Sequence, residues 1–499
     1  MTHYLYLYLS IPCMFSPSTD NNTYTPLVSR VMTIDDVTWG NPKINFWDNP
    51  DLGYIVRFRG KLLLDRANAQ NELTQSFQAQ NISPVFRTDH ELDAVYLIAD
   101  PLTSLVTQIL EIQETQWADQ QAPHIVRYLG RLRIDSIEAY DKLAEVMDPR
   151  EVTPLFRTEQ GQHAIILLKG VNRPTPANPW INLIMFVLTV FCVALQGALQ
   201  VYDGPADTIW GMYLGAMSRI SSGLPFAISL LAILLAHEFG HYIAGRIHKT
   251  PVTLPYFIPL PPIPGLLSFG TMGAFIQLKA APKNRRYLLD IGVAGPLAGL
   301  AVAIPILLYG LSLSHVEALP RILESGQGLQ MEGNSILYLL SKYAIFKEWL
   351  PTPGSYGEVS PLVYWLKFFF TGRPFPFGGR DVIIHPVALA GWAGLLVTAL
   401  NLIPAGQLDG GHLSYVLLER KARHLLPYIL VGLFILGFFW QGWWLWLFLI
   451  SLLGRTYAEP LDQITPLDPI RKAVAIFGLI IFLLTFTPIP LQAFFGPLV

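Results

Sequence analysis

The feature that most constrains this chain is a group of ionisable residues at the end of an uncharged apolar run. Residues 224–236 contain no charged side chain and are followed at once by the motif H-E-x-x-H, with His237, Glu238 and His241. Histidines four residues apart lie on one face of a helix, so both imidazoles can bind one metal ion. The glutamate lies beside that ion, where it can take a proton from water and pass it on. Ionisable groups in a membrane-grade helix are costly and mark function, so the sequence predicts a zinc site in a membrane.

The composition agrees with a chain that faces a lipid bilayer. Only 14% of the 499 residues are charged and 52% are hydrophobic, whereas soluble domains contain about 25% charged residues. The net charge of -2 gives no reason to expect nucleic acid as a partner. The cysteines, Cys13 and Cys192, lie in unrelated contexts and support neither a disulfide framework nor a cysteine zinc cluster.

The first residues carry no recognisable targeting signal. The apolar run at 4–9 lacks the basic start of a signal peptide and the Arg/Ser richness of a transit peptide. We therefore expect residues 1–51 to be disordered or a mis-assigned start, with Met32 as an alternative initiator.

Residues 52–171 are more polar, and they repeat themselves. Three segments recur at one constant offset: 54–58 as 124–128, 60–62 as 130–132, and 83–88 as 153–158. A constant offset indicates duplication, and each copy (54–100 and 124–170) has the pattern of a strand, a helix and two strands. We predict a soluble α+β domain built from a duplicated β-α-β-β unit. Because its residues form no recognisable constellation of metal ligands or nucleophiles, its expected role is to bind a regulatory partner.

Apolar segments of membrane length follow a linker at 172–179. Spans are predicted at 180–201, 223–245, 287–313, 383–403 and 473–491, and 425–453 is interpreted as two short helices. The expected fold is a polytopic α-helical membrane protein with about six to eight transmembrane helices. Its intramembrane core covers 180–415 with an outer loop at 314–381, and further transmembrane segments lie in 416–499. Lysines and arginines beside the spans place the N-terminal domain and the active site on the inner side, toward the cytoplasm or stroma.

A proline-rich segment separates the second and third spans. The prolines in 255–265 exclude a spanning helix, and both ends lie on the inner side, so the segment lies at the surface or forms a re-entrant loop or β-hairpin. Its strand-like end offers an edge to an unwound substrate. The candidate substrate-binding residues are Gly270, Thr271, Gly273 and Phe275; the alternative is a packing loop that seals the site.

A third metal ligand is needed, because catalytic zinc usually has three protein ligands. The run 401–412 closes the fourth span at the predicted depth of the histidines, and Asp409 is its only carboxylate. Pro404 and the glycines of this run permit a broken helix end that aims Asp409 inward. His412 is the alternative ligand.

These features resemble the site-2 protease family of intramembrane zinc metalloproteases. The resemblance is carried by H-E-x-x-H, by Gly295 with Gly299, and by Asn401, Pro404, Asp409 and Gly410. Gly295 and Gly299 match a family motif in which small residues let helices pack closely. The N-terminal domain, 270–275 and 407–412 further resemble the plant-chloroplast and cyanobacterial branch, the ethylene-dependent gravitropism-deficient-like proteases.

The resemblance implies zinc held by His237, His241 and Asp409, with Glu238 as general base on a water and then as general acid to the leaving amine. It implies transmembrane protein substrates, whose helices must unwind before attack. Asn401 is expected to bind the unwound strand or, alternatively, to cap the broken helix.

The expected function is therefore that of an intramembrane zinc metalloendopeptidase. The alternative is a catalytically inactive membrane scaffold that acts through the N-terminal domain. Because no transit peptide is recognised, we expect a bacterial source, cyanobacterial or other, and a plasma or thylakoid membrane. A chloroplast membrane is the less favoured location.

Overall fold

The computed structural model describes residues 24–39, 56–77, 82–89, 92–99, 101–117, 124–204, 208–263, 268–323 and 328–495. Two compact units divide the chain, Met1–Val171 and Asn172–Val499.

The first unit contains two antiparallel four-stranded sheets. Its elements are α1 (Thr25–Val28), β1 (Asp36–Trp39), β2 (Val56–Gly60), α2 (Arg66–Phe77), β3 (Ile82–Asp89), β4 (Leu92–Ala99), α3 (Pro101–Val106), β5 (Leu110–Trp117), β6 (His124–Leu132), α4 (Ser136–Met147), β7 (Val152–Glu159) and β8 (Gln162–Lys169). The strand order is β1-β2-β4-β3 in one sheet and β5-β6-β8-β7 in the other. The N-terminal region is therefore built from sheets and helices, as predicted.

Helix α4 shows why these segments fold locally. Asp135 caps it by accepting a hydrogen bond from the backbone N–H of Ile137. Its buried residues include Ala139, Leu143 and Met147, which recur at helical spacing. The apolar face of the helix is thereby buried while its charged face stays in water.

Disorder, one of the two alternatives expected for residues 1–51, does not hold for residues 24–39, the part of this range that the structure describes, whereas a mis-assigned start stays a prediction. Residues 24–39 form α1 and β1, and Val28, Val31 and Met32 are at most 1% exposed. These side chains belong to the same hydrophobic cluster as Phe58, so their burial holds the segment in place. The rest of that range, 1–23 and 40–51, lies outside the described residues.

The second unit is mainly helical. Its elements are α5 (Pro179–Gln200), α6 (Ile209–Ser218), α7 (Leu224–Ile247), β9 (Tyr256–Pro259), β10 (Thr271–Phe275), α8 (Arg285–Ser312), β11 (His315–Ala318), β12 (Gly328–Glu332), α9 (Ile336–Phe346), α10 (Pro361–Thr371), β13 (Arg380–Ile383), α11 (Pro386–Asn401), α12 (Asp409–Leu418), α13 (Leu425–Gly437), α14 (Gly442–Leu453), α15 (Pro469–Thr485) and β14 (Leu491–Phe495). Strand pairs are formed by β9 with β10, β11 with β13, and β12 with β14.

Three helices of the described residues are long and apolar enough to cross a membrane: α5, α7 together with the turn before it, and α8. Helices α9, α11 and α14 are apolar but shorter. The predicted fourth span corresponds to α11, a 16-residue helix that follows strand β13.

Helix α6 and the pairing of β12 with β14 were not predicted.

Helices α7, α8 and α11 pack closely because glycines lie where they meet. A β-carbon on Gly240 of α7 would lie 2.6 Å from the carbonyl oxygen of Ala294 in α8. One on Gly391 of α11 would lie 2.6 Å from the Cα atom of Leu307. Only glycine permits such backbone approach. The result is a three-helix core in which the ends of α7 and α11 are held near one another.

Candidate metal centre

Helix α7 brings both histidines and the glutamate of the motif into the protein interior. His237, Glu238 and His241 are 3%, 3% and 6% exposed. The two imidazoles lie on one face because the residues are one helical turn apart. Their Nε2 atoms are 3.2 Å apart.

Asp409 reaches the same point from a second part of the chain. Helix α11 ends at Asn401, and α12 begins at Asp409 after a short connection. The Asp409 carboxylate lies between the histidines, with Oδ2 3.2 Å from Nε2 of His237 and Oδ1 3.3 Å from Nε2 of His241. In the described part of the chain, these are the residues that could together hold a metal ion, with one ligand atom from each within 4.8 Å of the others.

The donor set fits zinc. Tetrahedral ligands at the usual Zn–N and Zn–O distances lie about 3.3 Å from one another, which is the spacing found here. Nδ1 of His241 lies 2.7 Å from the backbone carbonyl oxygen of Ile291. Because a carbonyl only accepts, Nδ1 carries the proton and Nε2 keeps its lone pair for a metal.

Two glycines of α8 leave the room that the histidine rings occupy. A β-carbon on Gly295 would lie 2.0 Å from Nε2 of His241. One on Gly299 would lie 3.1 Å from Cβ of His237. The sequence predicted close helix packing at these positions but not that the neighbouring groups are the imidazoles themselves.

Glu238, Asn401 and His412 surround the three residues. The Oε2 atom of Glu238 is buried and has no hydrogen-bond partner among the described residues, whereas Nδ2 of Asn401 lies 3.3 Å from Nε2 of His237. His412 is not in the potential ligand set. A β-carbon on Gly292 would lie 3.0 Å from that of His412, so its ring packs along α8.

The proline-rich segment forms a β-hairpin in which β9 pairs with β10. Gly270 and Gly273 have φ angles of 83° and 100°, and the register shifts between Thr271 and Ala274. A β-carbon on Gly270 would lie 2.6 Å from the carbonyl oxygen of Cys192, so Gly270 packs against α5. The local backbone therefore requires glycine at both positions.

Of the two hairpin candidates that have a side chain, Phe275 is exposed and Thr271 is buried. The Thr271 hydroxyl donates to the carbonyl oxygen of Ile258 at 2.8 Å and accepts from the N–H of Gly273 at 3.0 Å. Phe275 is 49% exposed and Met272 is 57% exposed. Thr271 thus holds the hairpin together, while Phe275 is accessible. Met272 was not among the candidates. Strand alternation could have identified it, because a residue between two inward-facing residues points outward.

Comparison with known proteins identifies the region around this centre. Residues 225–437 match the model of Peptidase family M50. The chain is 30% identical over 401 residues to "Probable zinc metalloprotease EGY1, chloroplastic" of Oryza sativa subsp. japonica, which covers 73% of the chain and 62% of that protein. It is 29% identical over 345 residues to the protein of the same name in Arabidopsis thaliana, covering 65% and 56%. It is 27% identical over 387 residues to "Probable zinc metalloprotease EGY2, chloroplastic" of Oryza sativa subsp. indica, covering 74% and 64%.

The chain thus spans about 56–64% of the length of these relatives. No solved structure matches it. The predicted bacterial, cytoplasm-facing location is wrong, because these relatives are plant proteins whose names place them in the chloroplast. The bacterial source was inferred from the composition of the first residues, which carries no information about the folded core.

The matched range includes both histidines of α7, the glycines of α8, helix α11, and Asp409 at the start of α12. Residues 225–437 are therefore a domain of Peptidase family M50, the site-2 protease family.

Proposed function

We propose that this protein is an intramembrane zinc metalloprotease that hydrolyses peptide bonds within or near transmembrane segments of membrane-protein substrates. One observation carries the proposal. Two buried histidines and a carboxylate from another helix converge at metal-ligand spacing, next to a buried glutamate whose Oε2 atom has no hydrogen-bond partner among the described residues.

The ligand residues are His237, His241 and Asp409. Zinc bound there would supply Lewis-acid polarisation of the scissile carbonyl and make a neighbouring water more acidic. Glu238 takes a proton from the attacking water and then donates it to the leaving amine. Its Oε2 atom is suited to this role, because no hydrogen-bond donor among the described residues competes with water for it.

The β-hairpin is the proposed substrate-binding element. Strand β10 pairs with β9 along one edge, and among the described residues no strand pairs with its other edge. An unwound substrate segment can add to that edge through backbone hydrogen bonds. Phe275 and Gly273 would lie along it, and the amide of Asn401 would meet the substrate beside the metal.

The finer architecture belongs to the same proposal. The shorter helices α11, α13, α14 and α15 are proposed as further membrane segments, which gives about six to eight spans. Helices of this length are accommodated by local thinning of the bilayer or by non-helical ends that are covered by protein. The hairpin between α7 and α8 is proposed to be re-entrant. The identical strand orders of the two sheets support an N-terminal domain that arose by duplication, whose role is to bind a regulatory partner.

The location is proposed from the relatives' names. A chloroplast membrane, with the N-terminal unit and the metal centre on the stromal side, agrees with the lysines and arginines that flank the spans.

The test compares the wild type with Glu238→Gln, both purified in detergent as the full chain. We expect about one zinc per chain in each and cleavage of single-span model substrates by the wild type alone, because Glu238 moves a proton and does not bind the metal. Zinc in both without cleavage by either would favour the scaffold alternative. Absence of zinc from the wild type would contradict the proposal.

A further inference from the structure

Asp290 is an acidic residue near the start of membrane helix α8, outside the metal centre. Its side chain is 24% exposed. A carboxylate within a membrane-spanning helix is costly unless it is paired, and nothing in the proposed reaction uses it. Its contacts therefore need their own explanation.

The Asp290 carboxylate joins three helices at one point. Arg471 of α15 approaches it as a fork, with Nε 2.9 Å from Oδ1 and Nη2 2.7 Å from Oδ2. His248, the residue that caps the end of α7, places Nε2 3.0 Å from Oδ2. The His248 ring also stacks on Tyr287 of α8, with 4.1 Å between ring centroids. A bidentate arginine–carboxylate pair adds geometric specificity to its electrostatic attraction. This contact therefore helps to set how α7, α8 and α15 lie against each other.

The residue next to Asp290 is in direct contact with the metal centre. The carbonyl oxygen of Ile291 accepts the Nδ1–H of His241 at 2.7 Å. A shift of about 1 Å directly away from His241 would stretch this 2.7 Å contact beyond hydrogen-bonding range. The orientation of His241 thus depends on the position of α8 relative to α7.

Close packing and the Asp290 contacts act on that position together. The facing surfaces of α7 and α8 carry Gly240, Gly295 and Gly299, which allow close approach. The ion pairs of Asp290 add a polar restraint at one end of this helix pair.

We propose that Asp290 is a positioning residue for the metal centre: by binding Arg471 and His248 it holds the Ile291 carbonyl where it orients His241. The proposal rests on the proposed function, since it assigns Asp290 to the His237, His241 and Asp409 zinc site. Asp290 does not touch the metal or the substrate.

The test measures zinc affinity of the full chain in detergent by competition with a chromophoric chelator, together with the visible absorption spectrum after cobalt replaces zinc. Asp290→Asn keeps the size of the side chain but weakens both contacts. We expect its zinc dissociation constant to rise about tenfold and its cobalt bands to shift. Asp290→Glu should recover part of both changes.

Arg423→Met is the matched control. It removes another arginine–carboxylate pair, with Glu459, away from the α7–α8 contact. It should leave zinc affinity and the cobalt spectrum unchanged. A purely stabilising role of Asp290 would lower the unfolding temperature without altering either readout, and that result would overturn the proposal.

Arg471→Lys gives the same test if Asp290→Asn does not fold. It keeps the charge but loses the fork, so zinc should bind more weakly; wild-type affinity in this variant would overturn the proposal. A wild type that binds no zinc would contradict the proposed function itself. A wild type that binds zinc while the variants match it would overturn only the role of Asp290.

Discussion

Gly295 lies directly against the ring of His241: a β-carbon at Gly295 would be 2.0 Å from the Nε2 atom that faces Asp409. The first prediction follows from this contact. Gly295→Ala must displace the imidazole or separate α8 from α7, so zinc affinity and cleavage should both fall, by about tenfold or more. Alanine favours a helix over glycine, so the helix itself should persist.

Gly432→Ala controls for that substitution. It lies in the apolar helix α13, and no atom lies within 4 Å of the β-carbon position. It should retain zinc and activity. If Gly295→Ala bound zinc as the wild type does, the described contact between α8 and His241 would be wrong.

Asp409→Ala tests which residue is the third ligand. Its carboxylate lies within 3.3 Å of Nε2 of both histidines, and loss of a ligand should weaken zinc binding more than the 10- to 100-fold typical of outer partners. His412→Ala should retain zinc within about tenfold. Equilibrium dialysis against buffered zinc measures both, and the reverse ranking would make His412 the ligand.

Thr271→Val tests the hairpin. Valine has the shape of threonine but leaves the carbonyl of Ile258 and the N–H of Gly273 without their partner, at a cost of about 1–3 kcal/mol. We expect KM for a single-span substrate to rise while zinc affinity stays constant. Thr352→Val, which removes a hydroxyl bonded to the carbonyl of Trp349, is the matched control. An unchanged KM in Thr271→Val would argue against substrate binding at β10.

The convergence of the three candidate ligands could be predicted from the sequence because the signals for it are local. His237 and His241 share a helix face by spacing alone, and Asp409 was found as the one carboxylate in a glycine-containing segment at the same depth. Asp290 was missed because its partner Arg471 is 181 residues away, and neither residue belongs to a motif. The pairing of β12 with β14 was missed for the same reason: register between distant strands is set by tertiary packing.

A buried charged cluster in the 314–381 region predicts a pH dependence. The Tyr338 hydroxyl donates to Glu332 at 2.6 Å, and Nζ of Lys342, which is 0% exposed, lies 3.7 Å from Oδ1 of Asp381. Burial, reinforced by the Asp381 carboxylate and opposed by Lys342, raises the pKa of Glu332 to about 7 from 4.5. A carboxyl whose pKa is raised on folding contributes stability below pH 4.5 that is lost as the pH rises through about 7.

The β12–β14 ladder should therefore open more readily at pH 8 than at about pH 5. Hydrogen exchange of its amides, corrected for intrinsic rates, measures this. Glu332→Gln removes the titrating group and should flatten the dependence in the window between 4.5 and about 7. Equal pH dependence in wild type and variant would show that another group is responsible.

Intramembrane cleavage by Glu238 and the metal centre is tested most directly by locating the peptide bond that is cut. Wild type and Glu238→Gln, each loaded with zinc, are reconstituted in lipid vesicles with a single-span substrate, and the fragments are identified by mass spectrometry. We expect new termini within or at the edge of the span for the wild type and intact substrate for Glu238→Gln. Equal cleavage by both proteins, or cuts only in the soluble flanks, would contradict this expectation.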